Sequence, residues 1–128
     1  MTTKNEVERM VTITLIRIGI KCDLVGFSYL TKAIEYVIED GKLAYNLKSL
    51  YAKVANDFSV KNPIRVEANI QNAITFTYNT KGFESFNQLF GMEVVSPAHK
   101  PSTAEFIMLV FNIVFFILFQ HNLLGKVI

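Results

Sequence analysis

Apolar side chains recur along this chain mostly at helical spacing. From Leu47, the positions Leu50, Tyr51, Val54, Ala55 and Phe58 follow the i, i+3, i+4, i+7, i+8, i+11 order of one helix face. A polar turn, Ser59-Val60-Lys61-Asn62, separates this segment from a second periodic one. Asn62 is suited to the N-cap, and Pro63 to the first helical position, where its missing N–H has no intrahelical acceptor to satisfy. Ile64, Ile70, Ala73 and Ile74 give the second helix a side to bury, and Arg65, Glu67, Ala68, Gln71, Asn72 and Thr75 fall largely on the other. The stretch from Leu47 to Asn79 therefore resembles a helix-turn-helix, in which the second helix enters the DNA major groove.

The flanking segments are also predicted to be helical. Thr3-Lys4-Asn5-Glu6 has the capping-box pattern, and the helix it opens would bury Val7, Met10, Val11, Leu15 and Ile18. Val11 to Leu15 also alternates like a strand, but the capping pattern and the 3.6-residue period extend over three turns and favour helix. Gly19 to Gly26 predicts a loop. Leu30, Ala33, Ile34, Val37 and Ile38 then share one face, Lys32, Glu35 and Glu39 another, and Gly41 is placed for a left-handed C-terminal cap. Gly82 and Gly91 bracket a short apolar segment with Phe83, Phe86, Leu89 and Phe90. Met92 to Lys100 reads as an extended connector because Pro97 and Pro101 keep helix out of it. Ser102 to Glu105 is a second capping box, and the last helix is predicted over about 102–120.

The pattern thus places several helices around a central helix-turn-helix. A length of 128 residues predicts one helical domain over 1–128. Hydrophobic residues make up 51% and charged residues 19%, too apolar for a disordered chain. A net charge of +2 neither requires nor excludes nucleic acid, since strong electrostatic binders carry a larger or more clustered excess. A single cysteine, Cys22, rules out an internal disulfide and suits a reducing cytoplasm, and the N-terminus lacks the apolar run of a secretory signal. With a lone Cys22 and only His99 and His121 beside it, a zinc site would need carboxylates; no metal or cofactor is expected. Asp57 and Glu67 make no catalytic pair, no nucleophile has its base at a recognisable spacing, and no glycine-rich phosphate loop is present, so an enzyme is not expected.

Short matches in a fixed order point further. Ile18-Gly19-Ile20, Gly26-Phe27-Ser28-Tyr29-Leu30 and Ala33-Ile34 are followed by Leu50-Tyr51, Val54-Ala55 and Phe58. Arg65-Val66-Glu67, Ile70, Ala73-Ile74, Leu89-Phe90-Gly91, Lys100-Pro101-Ser102 and Glu105-Phe106 complete the set. Over roughly residues 13 to 110 the chain resembles the C-terminal DNA-binding domain of stage zero sporulation protein A, the response regulator that governs entry into sporulation. The resemblance implies an all-α effector domain of about six helices, with the helix-turn-helix where the periodicity places it, that regulates transcription by binding double-stranded DNA. It makes Arg65, Glu67, Ala68, Gln71 and Asn72 the positions that face DNA, with Lys48, Lys53, Lys61 and Lys81 available for phosphates.

The chain departs from that family in three respects. Ala68, Gln71 and Asn72 stand where the family typically has arginine, arginine and histidine, and the turn at Ser59 to Pro63 holds one more residue. Arginine pairs bidentately with guanine and alanine cannot, whereas Gln71 and Asn72 can pair with adenine; the changes permit altered specificity as well as lost binding. No receiver domain precedes the helical segment in this sequence, so control is expected to be absent, by abundance, or through a partner.

Phe106 to Phe119 has Asn112 as its only strongly polar residue and includes five phenylalanines. At about 14 residues the run is short of the roughly 20 that cross a bilayer. Its first part is expected in the core. From Phe115 onward it replaces what is usually a charged end in the family, and self-association or a protein partner is expected through Phe106 to Leu124. A chain that has given up DNA binding and acts only through this tail is the alternative reading.

Overall fold

A computed structural model describes residues 3–127, with the backbone alone for residue 119 and residues 121–127. Its order is α1 (Lys4–Ile18), α2 (Val25–Glu39), a 3₁₀ helix (Gly41–Tyr45), α3 (Leu47–Asp57), α4 (Pro63–Asn79), α5 (Gly82–Phe90) and α6 (Thr103–Val127), with no strand among the described residues. Val11 to Leu15 lies in α1, not in a strand.

Helices α1, α3, α4 and α6 begin where a side-chain oxygen accepts a free backbone N–H, whereas α2 and α5 begin without one. At Thr3 the capping box closes in both directions: Glu6 N–H donates to Thr3 Oγ1 over 3.1 Å, and Thr3 N–H donates to Glu6 Oε2 over 3.3 Å. Ser102 and Glu105 repeat it before α6, Glu105 N–H donating to Ser102 Oγ over 3.1 Å and Ser102 N–H to Glu105 Oε1 over 3.0 Å; the Ser102 N–H first, then its hydroxyl, hold the Glu105 carboxyl below its usual range. Gly19 ends α1 at φ 106°, a left-handed conformation that suits glycine. Gly41 does not play that part. Asp40, in extended conformation, ends α2, and Gly41 opens the 3₁₀ helix with its Lys42 N–H bonded to Asp40 Oδ1.

The core draws on all six helices, with Val11, Leu15 and Ile18 from α1, Leu30, Ile34 and Val37 from α2, and Leu50 and Val54 from α3. Val66, Ile70 and Ile74 enter from α4, Phe83 and Phe86 from α5, and Phe106, Ile107, Val110 and Val114 from α6. Packing brings α2 against α4 most extensively, and α6 crosses α1, α2 and α4. The seam between α2 and α4 depends on Gly26, which lies in the first turn of α2, not in the predicted loop. A Cβ built there would stand 2.2 Å from the backbone oxygen of Asn69.

Several side chains lie on unexpected sides. Glu35 is buried, at 5% exposure, among residues that pack against α1. Ile64, assigned to the buried side of its helix, is 65% exposed, and Val66 occupies the core instead. Phe58 caps α3 as an exposed residue, its ring edge-on to Tyr29 at 5.1 Å. Leu89 and Phe90 are exposed while Phe83 and Phe86 are buried. The last helix extends well past residue 120. Among the described residues no helix is long and apolar enough to cross a membrane.

Candidate nucleic-acid interface

The geometry of the site follows from how α4 is held. Asn62 Oδ1 accepts the Ile64 N–H over 3.0 Å and Pro63 fills the first turn, so the start of the helix is fixed by its own sequence. Val66, Ile70, Ala73, Ile74 and Thr77 are buried, the Thr77 hydroxyl donating to the Ala73 carbonyl over 2.8 Å. That line against α2, α3 and α6 sets the rotation of α4 about its axis. The opposite side then presents Ile64, Arg65, Ala68, Gln71 and Asn72, all exposed, with Glu67 and Thr75 half-buried at its edge. By the helical repeat Ala68 is central, with Ile64 and Gln71 to one side and Arg65 and Asn72 to the other.

Two contacts order this surface. Gln71 Nε2 donates to Glu67 Oε1 over 3.3 Å, one turn away, and Asn69 Nδ2 donates to the Arg65 carbonyl over 2.8 Å. Neither Arg65 nor Ala68 is drawn into the core.

Cations frame the helix from several directions. Lys61 is exposed in the turn before α4, and Lys48 lines the groove between α3 and α4 with Asn62, Ile64 and Glu67. Lys53 lies elsewhere, with its Nζ 5.5 Å from the Tyr36 ring centre on α2. Two further lysines come from distant parts of the chain and were not among the residues picked out by periodicity. Lys21 Nζ lies 5.1 Å from the ring centre of Phe76, and Lys100 Nζ donates to Thr75 Oγ1 over 3.1 Å. Asp23 is an acidic neighbour on the Lys21 side, in the cleft lined by Asn69, Asn72 and Phe76.

Lys100 stands where it does because Asn87 latches the preceding connector. Asn87 Oδ1 accepts the N–H groups of Val94 and Val95 over 2.8 and 3.0 Å, and its Nδ2 donates to the Val95 carbonyl over 2.6 Å. Val95 is thereby buried against the core and the chain is returned toward α4. A lone asparagine within a helix gives no sequence signal for such a latch.

The chain is a member of a family of all-helical DNA-binding regulatory domains, and that family is not one of enzymes. It is the family described as Sporulation initiation factor Spo0A C terminal, whose profile matches residues 11–114. That family is the DNA-binding domain of a sporulation regulator. The match ends at Val114, after which no described side chain of α6 is buried.

Proposed function

We propose that the chain regulates transcription by binding double-stranded DNA with α3 and α4 as a helix-turn-helix, α4 lying in the major groove. The observation that carries this reading is the buried line Val66, Ile70, Ala73 and Ile74, which turns Arg65, Ala68, Gln71 and Asn72 outward within a frame of lysines. Arg65, Gln71 and Asn72 read base edges. Glu67 and Ala68 shape that surface, and Lys61, Lys48, Lys21 and Lys100 anchor phosphates, while Lys53 is set over the Tyr36 ring on α2. Selection from random double-stranded DNA tests the proposal and is expected to enrich a short motif. Binding to that motif weakens with salt at a slope of about −0.9 per phosphate neutralised, and Arg65→Ala costs roughly 1–3 kcal/mol. Failure to enrich any motif, together with salt-independent retention, overturns it.

One observation favours a second reading, association of two copies through α6. Phe115 and Phe116 are 60% and 62% exposed, and Ile117, Leu89 and Phe90 add to the uncovered apolar surface. The part of the predicted surface at Phe119 and beyond residue 120 lies outside the described side chains. Sedimentation at tens of micromolar distinguishes this reading: a dimer that persists or tightens at high salt supports it, and a monodisperse monomer rejects it.

A further inference from the structure

Resting on the proposed mode of DNA binding, we infer that the centre of the α4 surface reads A·T base pairs, with Gln71 and Asn72 taking adenine and Ala68 and Ile64 taking thymine methyl groups.

The α4 surface is poor in groups that suit guanine. Guanine offers two acceptors, O6 and N7, and is matched by side chains with two donors, arginine above all. Arg65 is the one guanidinium on α4, and it stands in the first turn at the margin of the surface. The central positions are an alanine and two carboxamides.

The contact between Glu67 and Gln71 narrows the choice. A carboxylate only accepts hydrogen bonds, so the end of the Gln71 amide that faces Glu67 Oε1 at 3.3 Å must be Nε2. One N–H is then committed. What remains toward the groove is one donor and one acceptor, the complement of adenine N7 and N6–H. Guanine at the same position would set its O6 against the amide oxygen, two acceptors facing each other. Glu67 is thus a positioning residue: it fixes which way the Gln71 amide faces. Asn72, exposed on the other side of Ala68, has the same adenine-matching group on a shorter stem.

The apolar members fit the other half of an A·T pair. Ile64 stands 65% exposed although it is a large hydrophobic residue, and Ala68 lies one turn along on the same side. The C5 methyl of thymine is the apolar group that the major groove displays, and contact with it removes apolar surface on both partners from water. Arginine at position 68 would reach past that methyl; alanine leaves room for it.

The test uses the full chain and a DNA selected by it. The motif is expected to carry adjacent A·T pairs where α4 docks. Gln71→Ala should lower the preference for adenine at one of them on the order of tenfold. Glu67→Ala should narrow the adenine-over-guanine preference at that same base pair while leaving the unfolding midpoint unchanged, an effect that a merely structural role would not produce. Replacing thymine by uracil opposite, which deletes the methyl, should weaken the parent and have little effect on Ala68→Gly. A motif whose α4-contacted core is G·C, or one unaffected by Gln71→Ala and by uracil, overturns the inference while leaving DNA binding by α4 intact. Absence of any motif overturns DNA reading itself, and this inference with it.

Discussion

Replacing Gly26 by alanine sets two effects of opposite sign against each other. Within a helix, glycine to alanine is favourable by up to about 1 kcal/mol, because alanine loses less backbone entropy on folding. At Gly26 the new Cβ would meet the Asn69 carbonyl oxygen at 2.2 Å, its carbon at 2.8 Å and the Ala73 Cβ at 3.0 Å. Ordinary contact begins near 3.4 Å, so the approach must lengthen by about 1 Å. The obstacle is the backbone of α4, which cannot turn away as a side chain can, so α2 and α4 must separate. A gap of roughly 0.5–1 Å already forfeits a quarter to a half of the dispersion attraction along a seam. Overpacking of this kind costs about 1–3 kcal/mol and occasionally more; with a rigid obstacle the upper part of that range applies. Net destabilisation of about 2 kcal/mol is expected, which lowers the urea midpoint by about 1 M at the slopes usual for small proteins. Gly41→Ala is the control, since a Cβ there meets nothing within 4 Å and the backbone is not left-handed. A Gly26→Ala midpoint equal to or above the parent's would refute the packing argument.

Other substitutions test separate parts of the structure. Burial raises the Glu35 carboxyl above its ordinary 4.5, with Lys32 opposing and Glu8 reinforcing the shift. The folded state therefore holds that proton more tightly than the unfolded state, and stability falls as pH rises from 4.5 through the raised native value. Glu35→Gln should flatten this slope and gain stability at neutral pH; parallel curves for the two proteins would contradict it. The Tyr36 hydroxyl donates to Asp57, and this bond first, then burial, pushes the phenol up to about 12. Alkaline absorbance titration should show one tyrosine near that value, falling toward 10 in Asp57→Asn. Asn87→Ala removes three hydrogen bonds and should cost roughly 1–3 kcal/mol, with faster amide exchange at Val94 and Val95 as the local readout.

Local features are legible in neighbouring residues alone. Thr3 with Glu6, Ser102 with Glu105, and Asn62 with Pro63 each act within a single turn, so the pattern and the structure agree at those helix starts. The outward side of α4 at Arg65, Ala68, Gln71 and Asn72 was legible for a related reason: with the apolar residues at 70, 73 and 74 in the core, the helical repeat leaves those positions opposite. Periodicity fails at margins, where a residue's burial depends on what stands beside the helix. Ile64, the second residue of α4, borders the open groove between α3 and α4 and stays exposed, and Glu35, spaced like a surface residue, is covered by the packing of α1 on α2. Gly26 looked like loop punctuation because its reason for being glycine is Asn69, 43 residues further along by the sequence numbers. Lys21 and Lys100 join the surface around α4 only once α2 has docked and Asn87 has latched the connector. Local hydrogen bonding and helical repeat are written in adjacent residues; the close approach of two backbones and the gathering of remote charges exist only after the helices have packed.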